Sequence, residues 1–319
     1  MLQRNIKRIA ITGAALTAMS LSGCKMAVMD PMGPIGAQEK DLILLSTSLM
    51  LLVVIPVILM TLWFGWRYRA SNRKATYAPE WEHSTRIEAV VWAIPCLIIL
   101  GLATITWIST HQLDPYKPLT TANKAKPVEV EVVSMDWKWL FIYPDYGVAS
   151  VNELALPVHT PVHFKLTSAT VMNAFFVPQL GTQVYTMSGM QTQLSLIADK
   201  AGDYDGISSN YSGPGFAGMK FTARAMSDAD FAAWVANAKK APALDGAAYK
   251  LLERPADKLP VAYYGSVAPN LYHDILNKCA DGGACMDASM GSMAEGAQCK
   301  PGEQVATTGT AVKPQARRS

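Results

Sequence analysis

At 319 residues, with half of them apolar and 17% charged, the chain is too apolar for an ordinary soluble globule and too charged to lie wholly in a membrane. A formal net charge of +3, with no basic block interleaved with aromatics before Arg317 and Arg318, excludes nucleic acid as a partner on electrostatic grounds. A membrane anchor joined to a water-facing domain is the predicted organisation.

In chain order, Arg4, Lys7 and Arg8 precede the apolar stretch Ile9 to Leu21, and Ser22 and Gly23 stand before Cys24. That is the layout of a secretory signal, and Leu-Ser-Gly-Cys matches the lipobox of bacterial lipoproteins. Residues 1–23 are expected to be removed, leaving Cys24 as a lipidated first residue on an anchored segment 24–41. The other reading is an uncleaved signal anchor with a buried cysteine. Leu42 to Trp66 then carries no charged side chain, and neither does Ala89 to Ser109. Each run is long enough to cross a hydrocarbon core about 30 Å thick, so 42–66 and 88–109 are predicted membrane helices, with Pro56 and Pro95 tolerated inside them. The loop 67–87 holds Arg67, Arg69, Arg73, Lys74 and Arg86 against Glu80 and Glu82. An excess of cations places it in the cytoplasm and both termini in the periplasm.

After a linker at 110–125 the texture changes. Val128, Val130 and Val132 alternate with Glu129 and Glu131, Val162, Phe164 and Leu166 alternate with His163 and Lys165, and Met219, Phe221 and Ala223 repeat the period of two. Residues 126–226 therefore read as an all-β sandwich or barrel. Ser227 and Asp230 form a capping box, followed by Phe231, Trp234, Val235 and Ala238 on one helical face. A second short helix is predicted over 270–278 within a helical extension 227–279, and 280–319 reads as a disordered tail rich in small residues.

RIEAVVWAIP (86–95), MDWKWLFIYP (135–144), VMNAFFVPQLG (171–181) and the loop YDGISSNYSGPGFAGMKF (204–221) together make the chain similar to subunit II of the haem-copper respiratory oxidases, over roughly residues 41–277. The resemblance implies a two-helix transmembrane hairpin bearing a cupredoxin-like Greek-key barrel. In the cytochrome c oxidases of this family, that barrel holds a dicopper centre. Carried onto this chain, the ligand positions are Asn173 for the first His, Ser208 and Ser212 for the two Cys, Asn210 for the Glu carbonyl, Phe216 for the second His, and Met219 for the Met. Only Met219 keeps a ligand side chain. Soft thiolates are what bind and couple copper ions, and a serine hydroxyl is a hard, weak donor. No cysteine lies between Cys96 and Cys279, so a shifted register supplies none. The loop glycines are expected to close the barrel, Phe216 to fill the vacated volume, and the serines to hydrogen-bond across the loop. This pattern of loss resembles the quinol-oxidising branch, the bo-type ubiquinol oxidases in particular.

That resemblance implies no cofactor on this chain, no cytochrome c partner, and ubiquinol as the donor. It also implies haems and one copper in a large subunit I, which reduces dioxygen to water and pumps protons, with smaller subunits III and IV beside it in the bilayer. In the family, a glutamate at the place of Glu88 sits at the mouth of a proton pathway into subunit I. The alternative for Glu88 is a solvated helix-start carboxylate favoured by the helix dipole. His159 and His163 are expected on one strand face without a third metal ligand, and Trp137 and Trp139 as barrel surface and packing. Cys279, Cys285 and Cys299 leave open a disulfide, or Cu(I) binding with Met286, Met290 and Met293, or an unstructured tail. The second function class is accordingly a free-standing membrane lipoprotein that binds or delivers copper.

Overall fold

A computed structural model describes residues 26–76, 78, 80–120 and 126–287. The two apolar runs form helices α1 (Pro34–Arg67) and α2 (Thr85–Gln112). Pro34 opens α1 at a position whose N–H has no intrahelical acceptor in any case, so the helix starts well ahead of the apolar run and takes in Glu39, Lys40 and Asp41. Among the described residues nothing covers the apolar side chains: Leu62 is 67% exposed, Trp92 73% and Leu97 67%. Lipid or another subunit must cover them. The hydroxyls of Ser48, Thr61 and Thr104 donate to the carbonyls of Leu44, Val57 and Leu100 one turn back, which removes free donors from the apolar surface.

The segment before α1 is docked on the β domain. Met32 N–H donates to Gln179 O at 2.7 Å, Asp199 N–H to Met32 O at 2.8 Å, and Gly36 N–H to Leu180 O at 3.1 Å. Ile35 is buried there, and a Cβ on Gly33 would run into the Ile197 carbonyl. This backbone strap fixes where α1 leaves the barrel.

Ten strands form two facing sheets: β1 (Val128–Met135), β2 (Lys138–Tyr143), β3 (Val148–Val151), β4 (Glu153–Pro157), β5 (Val162–Ser168), β6 (Asn173–Phe176), β7 (Val184–Thr186), β8 (Thr192–Leu196), β9 (Gly202–Ser208) and β10 (Lys220–Met226). The first sheet runs β3-β2-β1-β5-β8 and the second β4-β10-β9-β6-β7. Pairs β1–β5 and β4–β10 are parallel, the mark of a chain that crosses between sheets as a cupredoxin-like fold does. Between the sheets, Phe175 stacks on Phe221 at 5.2 Å, and Trp139 meets both edge-on at 5.6 and 5.5 Å.

The C-terminal extension consists of α3 (Asp228–Ala238), β11 (Ala243–Leu244), α4 (Gly246–Glu253), β12 (Ala262–Tyr264), β13 (Ser266–Val267) and α5 (Leu271–Leu276). Ser227 caps α3 as its sequence predicts, accepting from Asp230 N–H. The period of α4 is too short to stand out in the sequence; Asp245 caps it by accepting from Ala248 N–H at 2.8 Å. Strand β12 joins the outer edge of the first sheet beside β3. Tyr249, Leu252, Leu271, Tyr272 and Ile275 pack with Val133, Met135, Leu140 and Ile142, so β2 is buried on both faces. That explains why KWLFIY carries apolar residues without alternation.

Other expectations change in the C-terminal region and at His159. The last helix ends at Leu276, because Lys278 takes a left-handed φ of 57°. Residues past 280 are tied to the fold, since Cys279 and Cys285 are disulfide-bonded and Met286 N–H donates to Asn277 O at 3.0 Å. His159 sits in a turn at φ 56°, not on the strand face of His163. Cys24, Cys299, Met290 and Met293 lie outside the described residues.

Glu153 joins barrel to extension. Its buried carboxylate accepts from Trp234 Nε1 of α3 at 2.9 Å and from Tyr263 Oη of β12 at 2.6 Å, and pairs with Arg224 of β10 at 3.3 Å. Burial, and then the bond to Glu153, push the Tyr263 phenol up to about 12. Replacing Glu153 with Leu strands an indole N–H and a phenol and removes one of the two carboxylates on Arg224, so unfolding of the detergent-solubilised chain in urea is expected to show a loss of about 3 kcal/mol. Asp203→Asn, at the exposed end of the same Arg224 network, should cost under about 1 kcal/mol.

Candidate functional site

The loop between β9 and β10 occupies the rim of the barrel. Antiparallel pairing sets Phe175 opposite Ser208 and Lys220 opposite Ile207, and this brings residues 35 positions apart into contact. The Ser208 hydroxyl lies 3.2 Å from Asn173 Oδ1 and 3.3 Å from the Asn210 carbonyl. It donates to one of them, and it accepts from Ala174 N–H at 3.5 Å. Asn210 Nδ2 donates to Met172 O at 3.1 Å. On the other side of the loop, Ser212 Oγ sits 3.8 Å from Met219 Sδ. Asn173, Ser208 and Met219 are buried.

Ser208 thus bridges the loop as expected, but Phe216 does not fill interior volume. Its ring is half-buried and rests edge-on against Tyr211 at 5.5 Å, out on the rim. The physical reason is the short 3-10 turn Phe216–Gly218, which carries the side chain outward while Met219 turns in. Trp137 closes the loop from below. It adopts φ 63° in the β1–β2 turn, its Nε1–H donates to Ser212 O at 3.1 Å, and its ring fills the place a Cβ on Gly215 would need. Gly213, at φ +110°, permits the reversal. Trp139 is wholly buried in the core, edge-on to Phe175 and Phe221.

Chemically, the six positions present two hydroxyls, two carboxamides, a phenyl ring and one thioether. None is an anion and none is an imidazole. A dicopper centre needs bridging thiolates to hold and couple its ions, and this donor set does not fit one.

Glu88 lies in the first turn of α2, half-exposed, with a carboxylate oxygen 2.6 Å from His83 Nδ1. His83, just before the helix, was not singled out by the sequence; its five-residue spacing from Glu88 is longer than a helical turn and gives no periodic signal. Two further ionisable groups carry no sequence signal beyond their place in the strand pattern. Lys138 is buried, with Nζ donating to Arg254 O at 2.7 Å and Asp136 O at 3.3 Å, and burial lowers its pKa. Glu131 borders a cavity of about 350 Å³ under α5, and burial, opposed by Lys165, raises its carboxyl to about 7.

A cupredoxin-like domain with this loop, carried on two apolar helices, defines a subunit II of the haem-copper oxidase class. Residues 148–226 match the family model for the periplasmic domain of cytochrome c oxidase subunit II, and residues 239–283 match the COX aromatic-rich motif. The chain is 54% identical over 264 residues to cytochrome bo(3) ubiquinol oxidase subunit 2 of Pseudomonas putida, covering 82% of this chain and 83% of that one. It is 54% identical over 278 residues to the corresponding subunit of Pseudomonas aeruginosa, covering 87% and 83%. To ubiquinol oxidase subunit 2 of Acetobacter aceti it is 50% identical over 289 residues, covering 90% and 94%. The chain belongs to the ubiquinol oxidase subunit 2 family.

Glu131 gives a pH signature. Between about pH 4.5 and 7 the unfolded chain ionises this carboxyl while the fold keeps it neutral, so its contribution to stability is full below 4.5 and is lost as pH rises through 7. Glu131→Gln should therefore match the wild type near pH 4.5 and exceed it in urea midpoint at pH 8. Equal midpoints at pH 8 would contradict this.

Proposed function

We propose that this chain is the second subunit of a proton-pumping terminal ubiquinol oxidase that reduces dioxygen to water, and that no electron passes through it. The observation that carries this reading is the loop donor set of Asn173, Ser208, Asn210, Ser212, Phe216 and Met219. Without a metal relay in the barrel, a water-soluble one-electron donor would have to reach a haem buried in the membrane across the whole domain. A lipid-soluble quinol needs no such relay. Haems and one copper then belong to the large subunit I, with subunits III and IV completing the complex in the bacterial inner membrane. The bare surfaces of α1 and α2 support a bracing role against such a partner, and the barrel caps its outer face.

Two features of the chain add to that role. Glu88, in the first turn of α2 and in contact with His83, is the carboxylate that receives protons at the mouth of a pathway into subunit I. The cationic loop 67–87 supports periplasmic termini, and Cys24 supports a lipid anchor holding the first segment at the membrane surface. A membrane carboxylate is costly without such a purpose.

Purification of the complex through a tag on this chain should yield oxygen consumption with ubiquinol and none above background with reduced cytochrome c; activity with cytochrome c overturns the assignment. In the same preparation Glu88→Ala should slow turnover and proton uptake about tenfold, equivalent to 1.4 kcal/mol on the limiting barrier. Unchanged rates would remove Glu88 from the proton path.

A further inference from the structure

Beyond the quinol oxidase reading, and independent of it, the turn after α5 gathers ligand chemistry that the barrel lacks. One oxygen of Asp274 and the sulfurs of Cys279 and Cys285 all lie within 4.8 Å of one another. Cys279 Sγ is 3.9 Å from Asp274 Oδ1, and Cys279 N–H donates to the Asp274 carbonyl at 2.8 Å. A single backbone contact therefore places the carboxylate and the first sulfur together. The second sulfur is returned by a tight loop in which Gly282 takes φ +89° and its N–H donates to Cys279 O at 2.9 Å. His273 Nδ1 lies 3.4 Å from the same Asp274 oxygen, and its Nε2 lies 3.0 Å from Asp287. The His273 ring so placed hydrogen-bonds the Asp274 carboxylate, as the ligating carboxylates of metal sites are themselves hydrogen-bonded.

In the oxidised chain the two sulfurs are bonded to each other, and a neutral disulfide is a poor ligand. We propose that the reduced Asp274–Cys279–Cys285 cluster binds one thiophilic d10 cation, Cu(I) or Zn(II), through two thiolates and the Asp274 carboxylate. A dithiol reductant supplies two electrons and two protons: the S–S bond breaks, both cysteines become thiols, and the reductant closes its own disulfide. Metal binding then expels the two thiol protons. With metal–sulfur bonds of about 2.3 Å, the sulfurs must stand about 3.8 Å apart, a separation that the Gly282–Gly283 loop can supply by backbone rotation. The site is thus gated by oxidation, available only when the staple is open.

The test uses the full-length chain in detergent carrying Cys299→Ser, which removes the remaining cysteine of the C-terminal region. After reduction with dithiothreitol and anaerobic desalting, the protein is titrated in one arm with Cu(I) against bathocuproine disulfonate and in the other with Zn(II) against a chromogenic chelator. The expected result is one equivalent bound in at least one arm, which identifies the ion, and none before reduction. Asp274→Asn should weaken binding about tenfold, and Cys285→Ser should abolish it. Bound metal should also shield Cys279 and Cys285 from iodoacetamide, read by peptide mass spectrometry; this needs no variant and so does not depend on Cys285→Ser folding. Absence of stoichiometric binding in both arms overturns the proposal, as does alkylation at equal rates with and without metal. Retention of one equivalent by folded Cys285→Ser also overturns it.

Discussion

The first sheet has to be covered on both faces, and most of the architecture follows from that. Its inner face packs on the second sheet through Trp139, Phe141 and Phe164, while its outer face presents Val133, Met135, Leu140 and Ile142. Burying a side chain of that size contributes about 1.5–3 kcal/mol, so an uncovered outer face would forgo a large share of a typical domain's stability. The C-terminal extension supplies the cover, laying α4 and α5 over it and adding β12 to its edge. The aromatic-rich motif at 239–283 therefore has a structural purpose distinct from the loop.

Covering a sheet with a trailing segment requires a lock, and Glu153 is that lock. One buried carboxylate engages α3, β12 and β10 at once. Tyr143 works similarly on the barrel side, its phenol donating to Ala155 O at 3.1 Å and accepting from Ala155 N–H at 2.8 Å. The loop at 209–219 is closed by weaker means. Neutral hydrogen bonds from Ser208, Asn210 and Trp137 each contribute about 1 kcal/mol, enough to hold a turn whose glycines already favour its shape, and not enough to make it the organising feature.

The membrane half follows a different rule. Among the described residues neither helix finds a partner that covers its apolar surface, whereas the strap of Met32 to Gly36 binds the start of α1 to the barrel through three backbone hydrogen bonds. The barrel is thereby held at a defined position relative to the start of α1. Flexibility at that joint would leave the two halves to move separately.

Much was legible from the sequence because it is written locally. An uninterrupted apolar run demands a membrane helix, a period of two demands strands, Ser227 three residues before Asp230 announces a cap, and the absence of Cys and His at the loop decides its donor chemistry without any coordinates. What the fold alone decided involves partners far apart in the chain. Trp234 and Tyr263 find Glu153 across 81 and 110 residues, and Trp137 finds Ser212 across 75. Such pairings depend on strand register and chain reversal, which set which of many polar residues meet, and no local pattern encodes that choice. Phe216 makes the same point in reverse: its spacing survives, yet a single 3-10 turn sends its ring to the rim while Met219 goes inside.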